Sequence, residues 1–320
     1  MRRSLSAVFC LFALAACPSS SEPEPVVDEV VPLEPPPEGS GFQLEMLTTA
    51  PAGTEVWKCQ VSPMPNTELA SVNWVQYQQN PGLHHMTLST PGLGPSDMEP
   101  GIYDCDDVYT GEFMESQIMF FGSQGTAEDE LHLPDRVAAQ FPAGLTVVHE
   151  VHYVNTTPED VDVYSRVNAW TIPDSIVEDG IWGGSIRDEN INLPVGEETS
   201  EWSRCVFNQP VEVQFLASHQ HQKGTRFQVR PFDGTETGEL IFDNDDWHDP
   251  KITQFDPPLV VPAGEGFEFT CTWDNDTDAP LTYGLTSDDE MCNLAVVHTP
   301  FSLTAQCEVV ETSDGVLWAP

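Results

Sequence analysis

Basic side chains are scarce in this chain of 320 residues. It contains 11 Lys and Arg against 52 Asp and Glu, which gives a formal net charge of −41. Such a surface repels the phosphates of nucleic acids and anionic lipid headgroups, so we expect no nucleic-acid partner. The acidity is typical of a highly soluble protein, as in salty habitats, and cation binding by the whole surface is the alternative. An apolar fraction of 39% still provides enough side chains for real cores.

Long hydrophobic runs are also lacking. Arg2 and Arg3 precede an apolar run that ends in Leu14-Ala15-Ala16-Cys17 and is too short to span a bilayer as a mature helix. Residues 1–17 therefore read as a signal peptide, and the segment around Cys17 resembles the bacterial lipoprotein signal, in which the cysteine is lipidated after cleavage. A plain secretory signal is the alternative. Either way we expect export, with a lipid anchor on the periplasmic or cell-surface side of a bacterial membrane.

No two cysteines have C-x-x-C spacing, which argues against a thiolate zinc site or a redox pair. Cys10 belongs to the signal and Cys17 would carry the lipid. An even number of remaining cysteines in an oxidising compartment predicts three disulfides. The remaining cysteines are Cys59, Cys105, Cys205, Cys271, Cys292 and Cys307.

Long segments of helical period are missing too. Residues 18–40 are rich in Pro and Glu and predict a linker. From Gly41 onward, short runs such as TEVWKCQV alternate apolar and polar residues between Pro, Gly, Asn and Asp. The pattern predicts an all-β chain, a sandwich or jelly roll in two domains, which we expect at residues 41–195 and 196–320.

The stretch VEVQFLASHQHQKG contains two histidines at alternate positions of a predicted strand. Strand alternation assigns one face to Val211, Val213, Phe215, Ala217, His219 and His221. Two imidazoles at this spacing can converge on a single metal ion. A pair of exposed or hydrogen-bonded histidines is the alternative.

Three further stretches contain candidate ligands. In GLHHMTL, His84 and His85 are adjacent, so both can bind one metal at a bulge or strand end, or through different ring nitrogens; one core and one surface histidine is the alternative. In VVHEVHYVN, His149 and His152 face opposite ways on a strand, so only one joins a given site. In TSDDEMCNL, Met291 is either a core residue or a soft ligand for Cu(I).

These motifs, HHM, VHY, HQH and TSDDEMCNL, occur in the order and at intervals similar to those of a known family. From about residue 42 to 307 the chain resembles the copper type II, ascorbate-dependent monooxygenases, which include peptidylglycine α-hydroxylating monooxygenase and dopamine β-monooxygenase. TSDDEMCNL is the most specific of the four. The resemblance implies two tandem jelly-roll β-sandwich domains, each with a copper site that faces the cleft between the domains.

The resemblance also assigns residues. His84, His85 and His152 correspond to the electron-transferring copper site of the first domain. His219, His221 and Met291 correspond to the oxygen-activating, catalytic copper site of the second. The disulfides that it implies are Cys59–Cys105, Cys205–Cys307 and Cys271–Cys292. Four histidines fall outside the motifs and are expected to be structural, surface or core residues: His132, His149, His248 and His298.

The implied activity is the hydroxylation of an activated C–H bond of a small organic substrate, with two copper ions, O2 and ascorbate as the reductant. The peptide-hydroxylating members bind a substrate carboxylate with an Arg, a Tyr and an Asn. Here Ala217 and Ala295 stand at the first two positions, and only Asn293 remains. Alanine cannot supply a charge-assisted hydrogen bond, so we expect that peptides ending in glycine are not substrates. Glu150 stands where those members have a neutral amide.

Two other functions fit parts of the pattern. A copper-binding carrier or buffer lipoprotein would need tight binding of Cu(I) but no hydroxylation. A structural or adhesive β-sandwich lipoprotein would need neither. The presence of all six ligand positions argues against both.

Overall fold

The computed structural model describes residues 31–94, 96–111, 113, 117–284 and 288–316. The prediction of an all-β fold is confirmed, because helix in this part of the chain is confined to short turns, among them α1 (Cys105–Val108) and a 3-10 turn at Asp174–Ile176. The expected signal peptide and Cys17 lie outside the described residues. No helix among the described residues is long and apolar enough to cross a membrane.

Two sheets are formed by strands between residues 41 and 180, here called the first half. The described strands are β1 (Gly41–Ala50), β2 (Glu55–Pro63), β3 (Ala70–Gln79), β4 (Leu83–Thr90), β5 (Gly101–Asp104), β6 (Ile118–Gln124), β7 (Glu128–His132), β8 (Val137–Phe141), β9 (Thr146–Val154), β10 (Val161–Ile172) and β11 (Asp179–Gly180). One sheet has the order β1-β10-β3-β8-β11, with β7 also paired to β3, and the other has the order β5-β2-β9-β4-β6.

The core of the first half lies between these sheets. In β1, Leu44 and Met46 are buried while Glu45 and Leu47 are exposed, as the alternation of a strand requires. Met86 of β4 joins the same apolar cluster from the other sheet. Burial of these alternate side chains is the main source of stability for such a sandwich.

The strands of the second half, residues 182–316, form a further pair of large sheets and a short ladder. The described strands are β12 (Trp182–Arg187), β13 (Asn192–Leu193), β14 (Glu198–Phe207), β15 (Val211–His219), β16 (Gly224–Phe232), β17 (Phe242–Asn244), β18 (Ile252–Val261), β19 (Gly266–Asp274), β20 (Leu281–Thr282), β21 (Asn293–Thr299), β22 (Cys307–Thr312) and β23 (Gly315–Val316). Their orders are β12-β21-β15-β18, β17-β16-β19-β14-β22-β23 and β13-β20. The core between the large sheets is rich in phenylalanine, with Phe207, Phe267 and Phe269 among the most deeply buried side chains.

Strand β15 corrects the prediction that one face runs unbroken from Val211 to His221. The pairing of β15 with both neighbours shifts register between Val213 and Phe215. A bulge adds one residue to a strand, so the alternation reverses beyond it. Val213 therefore points into the core of the second half, whereas Phe215 lines an apolar cavity together with side chains of the first half such as Leu44.

The ends of the halves can also be located. The strand that ends at Gly180 pairs within the first half, and the strand that begins at Trp182 pairs within the second half. The domain boundary that we expect at residues 195–196 stays a prediction. The C-terminal part of the expected linker is held on the first half, since the N–H of Leu33 donates to Gln78 and the carbonyl of Glu34 accepts from Asn168.

Candidate metal centre

Adjacent histidines converge in the first half because β4 contains a bulge. The pairing of β4 with β9 shifts register between Leu83 and His85, which releases His84 from the normal alternation. His85 pairs directly with His152 on β9. The Nδ1 atom of His84 lies 3.1 Å from that of His85 and 3.1 Å from that of His152. These three residues, here called the first cluster, offer nitrogen atoms within 4.8 Å of one another, a donor set that suits a copper ion.

Carboxylates hold the outer nitrogens of two of these rings. Nε2 of His85 lies 2.8 Å from Oε1 of Glu150, and Nε2 of His152 lies 2.5 Å from Oε1 of Glu55. A carboxylate that accepts from Nε2–H fixes the tautomer in which Nδ1 carries the lone pair. Both rings therefore present Nδ1 to the centre of the cluster as an available ligand.

Glu150 is the centre of a buried hydrogen-bond network behind the first cluster. Its side chain accepts from Nε1–H of Trp57 at 2.6 Å, from the hydroxyl of Thr87 at 2.5 Å and from the hydroxyl of Tyr109 at 2.6 Å, besides His85. Burial alone would raise the pKa of Glu150, but the charge of His85 and these hydrogen bonds lower the pKa to about 2. A full negative charge thus stands next to the cluster at neutral pH.

His84 and His152 of the first cluster are neutral at neutral pH. Burial, followed by the charges of His85 and His152, lowers the pKa of His84 to about 3. Burial also lowers the pKa of His152. A metal ion binds only the unprotonated imidazole, so these rings need lose no proton before they bind one.

A second cluster, consisting of His219, His221 and Met291, forms where β15 ends and β21 begins. His219 pairs with Asn293 across the sheet, and His221 follows two residues beyond the strand. The two imidazole rings have centroids 5.2 Å apart and are nearly perpendicular, at 85°. Nδ2 of Asn293 donates to Sδ of Met291 at 3.2 Å, so the thioether lies beside the same strand end as His219.

The loop that contains His221 is held by a carboxylate that the sequence reasoning missed. Glu290 is fully buried and accepts from the backbone N–H of His221 at 3.1 Å, from that of Lys223 at 2.7 Å and from Nε1–H of Trp273 at 3.0 Å. Burial raises the pKa of Glu290, and the N–H donors oppose the rise. Nδ1 of His221 lies 2.9 Å from the carbonyl oxygen of Asp289, which leaves Nε2 as the free ligand atom. The available signal was the acidic residue directly before Met291 in the TSDDEMCNL motif.

The two clusters influence each other electrostatically. Burial, and then the charges of His221, His85 and His84, lower the pKa of His219 to about 3. His85 and His152 act in the same direction on His221, whose pKa is lowered mainly by burial. Histidines of the two halves therefore lie close enough to affect each other's pKa.

Three disulfides lie within the described residues, and they join the cysteines that the resemblance implies. Cys271–Cys292 connects β19 to the residue after Met291, with a Cα–Cα distance of 6.0 Å. The others are Cys59–Cys105 and Cys205–Cys307. Disulfides of this number are typical of exported proteins.

Histidines outside the motifs have different surroundings. His149 is buried and its Nε2 lies 2.9 Å from the hydroxyl of Ser165, while His132 stacks on Trp74. His298 is buried against Phe207. His248 is exposed, and its ring lies edge-on to that of Trp247 with the centroids 5.7 Å apart.

On the face of β15 that contains His219, the neighbouring side chain along the strand is small. Ala217 pairs directly with Ala295 of β21. Asn293 is buried, and its Oδ1 has no hydrogen-bond partner among the described residues. The strand positions next to His219 therefore offer one unused acceptor, and neither alanine offers a charge.

Comparisons with known proteins bear on these observations. Residues 197–318 match the profile of the family described as copper type II ascorbate-dependent monooxygenase, C-terminal domain, so the resemblance is confirmed over these residues, which contain the whole second cluster. The comparison with curated proteins gives no match. Among solved structures, a chain from "Structure of infectious bursal disease virus Gt strain" is 11% identical and covers 83% of this chain and 73% of that chain, with a TM-score of 0.16. That TM-score carries no argument about the fold.

Proposed function

We propose that this protein is an exported copper- and ascorbate-dependent monooxygenase, an oxidoreductase that hydroxylates an activated C–H bond of a small organic substrate with O2. The observation that carries the proposal is the presence of two sets of copper-compatible ligands, one in each half, within electrostatic reach of each other. The family match over residues 197–318 supports the oxygen-activating role of the second set.

His84, His85 and His152 would hold one copper ion through their Nδ1 atoms. His219, His221 and Met291 would hold the other. Copper at these residues supplies one-electron transfer and activation of O2, with ascorbate as the electron donor. The soft thioether of Met291 favours the reduced ion, whereas the three imidazoles of the first cluster accept either oxidation state.

The protein residues around the clusters orient the ligands. Glu290 holds the loop of His221, and its carboxylate also receives the N–H of Met291 at 3.4 Å, so one buried side chain fixes two ligands. Asn293 aligns the thioether through its amide. A buried and hydrogen-bonded arrangement of this kind needs little reorganisation when charge changes at the metal.

We further propose that the halves are tandem jelly-roll sandwiches with a cleft between them. A repeated turn supports the proposal. In the first half, Thr157 Oγ1 donates to Asn155 Oδ1 at 2.8 Å, and Asn155 Nδ2 donates to the carbonyl oxygen four residues on. In the second half, Thr277 and Asn275 make the same two bonds, at 2.7 and 3.0 Å. The same turn after corresponding central strands is expected if both halves share one topology.

Lipidation of Cys17 is part of the same proposal, with the acidic mature protein anchored outside the cytoplasm. The three disulfides support export, because such bonds persist in oxidising compartments. A membrane contact would then be made only through the lipid.

The deciding measurement is the copper content per chain of the mature protein, after loading and anaerobic reduction with ascorbate. We expect two coppers in the parent protein. In Met291→Ile we expect a folded chain that keeps the first copper and loses oxygen-dependent turnover. Met46→Ile, which alters another buried methionine, on β1, is the matched control and should keep both coppers and activity.

Other results of that measurement have clear meanings. A single copper in the parent, without oxygen uptake on any substrate, would favour a copper-binding carrier lipoprotein over an enzyme. Unaffected turnover in Met291→Ile would contradict the assignment of the second cluster. A parent chain without copper would contradict the proposal as a whole.

A further inference from the structure

A segment of the second half docks on the first half beside the first cluster. We call residues 245–250 the Trp247 segment. The carbonyl oxygen of Trp247 accepts from Nε2–H of Gln124 at 2.7 Å, and Oδ1 of Asp249 accepts from the hydroxyl of Thr126 at 2.7 Å. Gln124 is the residue that pairs with His85 across β6 and β4. The docking point is therefore the strand position next to a ligand.

The contact is close enough to exclude a side chain. Gly125 lies between the two docking residues and has a φ of +74°, a region that favours glycine. A Cβ atom at this position would lie 2.4 Å from the carbonyl oxygen of His248. The absence of a side chain at Gly125 is thus required both by its own backbone and by the docked segment.

The ring of Trp247 reaches the cluster itself. Its centroid lies 6.0 Å from that of His84, and the rings are inclined by 55°. Of the three ligands, His84 depends most on such a neighbour to orient its ring. Glu150 and Glu55 hold the other two rings, whereas Nε2 of His84 has no hydrogen-bond partner among the described residues.

We propose that Trp247 is a positioning residue for the first metal centre, contributed by the other half of the chain, so that the centre is complete only while the halves are docked. The inference rests on the proposed function, because it assumes that the first cluster binds copper. Packing by Trp247 restricts the orientation of the His84 ring, as a carboxylate does for His85 and His152. By linkage, docking then strengthens copper binding at the first cluster, and copper binding there strengthens docking by the same factor.

The test uses the full mature chain in a His219→Ala/His221→Ala background, so that copper binds only at the first cluster. Cu(II) affinity is measured by competition with a chelator, and the ligand field by electron paramagnetic resonance. Trp247→Ala should weaken binding by roughly tenfold or more, as removal of groups that orient metal ligands does, and should alter the spectrum. Trp247→Phe, which keeps an aromatic ring, should restore most of the affinity.

A second variant tests docking without changing an aromatic residue. Gly125→Ala should displace the Trp247 segment and weaken Cu(II) binding in the same direction. Gly144→Ala is the matched control, because Gly144 has a φ of +80° but no atom within 4 Å of an added Cβ. Its affinity should equal that of the parent. Circular dichroism checks that each variant is folded.

The possible failures are distinguishable. If Trp247→Ala binds Cu(II) with the affinity and spectrum of the parent, the positioning role is wrong while the proposed function stands. If Gly144→Ala loses as much affinity as Gly125→Ala, the Gly125 effect is a general backbone effect and docking does not contribute. If the parent in this background binds no copper, both the inference and the proposed first centre are wrong.

Discussion

At the scale of single residues, the most consequential side chains are those that touch a ligand without being one. Glu150 is buried and charged, and it is hydrogen-bonded to His85. It also accepts hydrogen bonds from Trp57, Thr87 and Tyr109. A negative charge so close to the first cluster favours the more positive Cu(II) over Cu(I). The reduction potential of that centre should therefore depend on this one carboxylate.

Glu150→Gln tests this dependence. The amide removes the negative charge, and its NH2 group faces donors, so His85 loses both its charge partner and its fixed orientation. We expect Cu(II) affinity at the first cluster to fall by roughly 10- to 100-fold and the reduction potential to rise. A chelator competition and a potentiometric titration measure these changes.

Glu55→Gln is the control, because the Glu55 side chain is 52% exposed and water can replace much of its bond to His152. We expect a smaller effect on both quantities. An unchanged potential in Glu150→Gln would show that the carboxylate has only a structural role.

A second prediction at this scale concerns the substrate. Ala217 and Ala295 face each other beside His219 and cannot bind a carboxylate. A peptide that ends in glycine, supplied at micromolar concentration with copper, ascorbate and O2, should therefore give no oxygen uptake above the background. Efficient hydroxylation of such a peptide would contradict this account of the pocket.

At the scale of elements, bulges and disulfides determine where the ligands point. The register shift in β4 brings His84 and His85 to one centre, and the shift in β15 turns the His219 face away from the core that contains Val213. The Cys271–Cys292 disulfide then holds the start of β21 next to β19. Each of these features acts on the backbone and so determines where a metal ligand lies from a position outside the cluster.

Removal of the Cys271–Cys292 disulfide should lower both the stability of the fold and copper binding at the second cluster. Cys271→Ala/Cys292→Ala opens a link between residues 21 apart in sequence, which stabilises by about 3 kcal/mol in the chain-entropy description. We expect lower stability and, in addition, weaker copper binding at the second cluster, because Met291 adjoins the lost bond. Urea unfolding and copper content measure the two effects.

The matched control is Cys205→Ala/Cys307→Ala. It opens a link between residues 102 apart, so the loss of stability should be larger, about 5 kcal/mol. Copper content of the folded fraction should nevertheless stay unchanged. Loss of the second copper in this control but not in the first variant would contradict the role given to Cys271–Cys292.

At the scale of the whole molecule, acid should destabilise the protein through its buried histidines. Burial lowers the pKa of His149 to about 3, and the pKa values of His84 and His219 are lowered to about 3 as well, from an ordinary value of 6.5. Between pH 3 and pH 6.5 these histidines therefore bind more protons in the unfolded chain than in the folded one. The free energy of unfolding therefore falls as pH decreases from 6.5 toward 3, and Glu150 adds a further loss between 4.5 and about 2.

The expected observation is a lower melting temperature of the copper-free protein at pH 5 than at pH 7.5, recorded by circular dichroism at constant ionic strength. His149→Gln should reduce this dependence, since glutamine can keep the bond to Ser165 but takes up no proton. His132→Gln, which changes an exposed histidine, is the matched control. A melting temperature that does not change across this range would contradict the prediction.

The amino-acid sequence by itself determined the all-β class, the six cysteines available for disulfides and the types of side chain in both clusters. These follow from local patterns, because alternation and motif spacing depend on neighbours along the chain. Tertiary structure decided which way the histidines face, since a single bulge reverses every side chain beyond it. It also decided which groups orient the ligands: Glu150 meets Trp57, and Trp247 meets His84, across more than 90 and 160 residues of chain. Contacts of that separation depend on how strands pair and halves dock, and no local pattern specifies them.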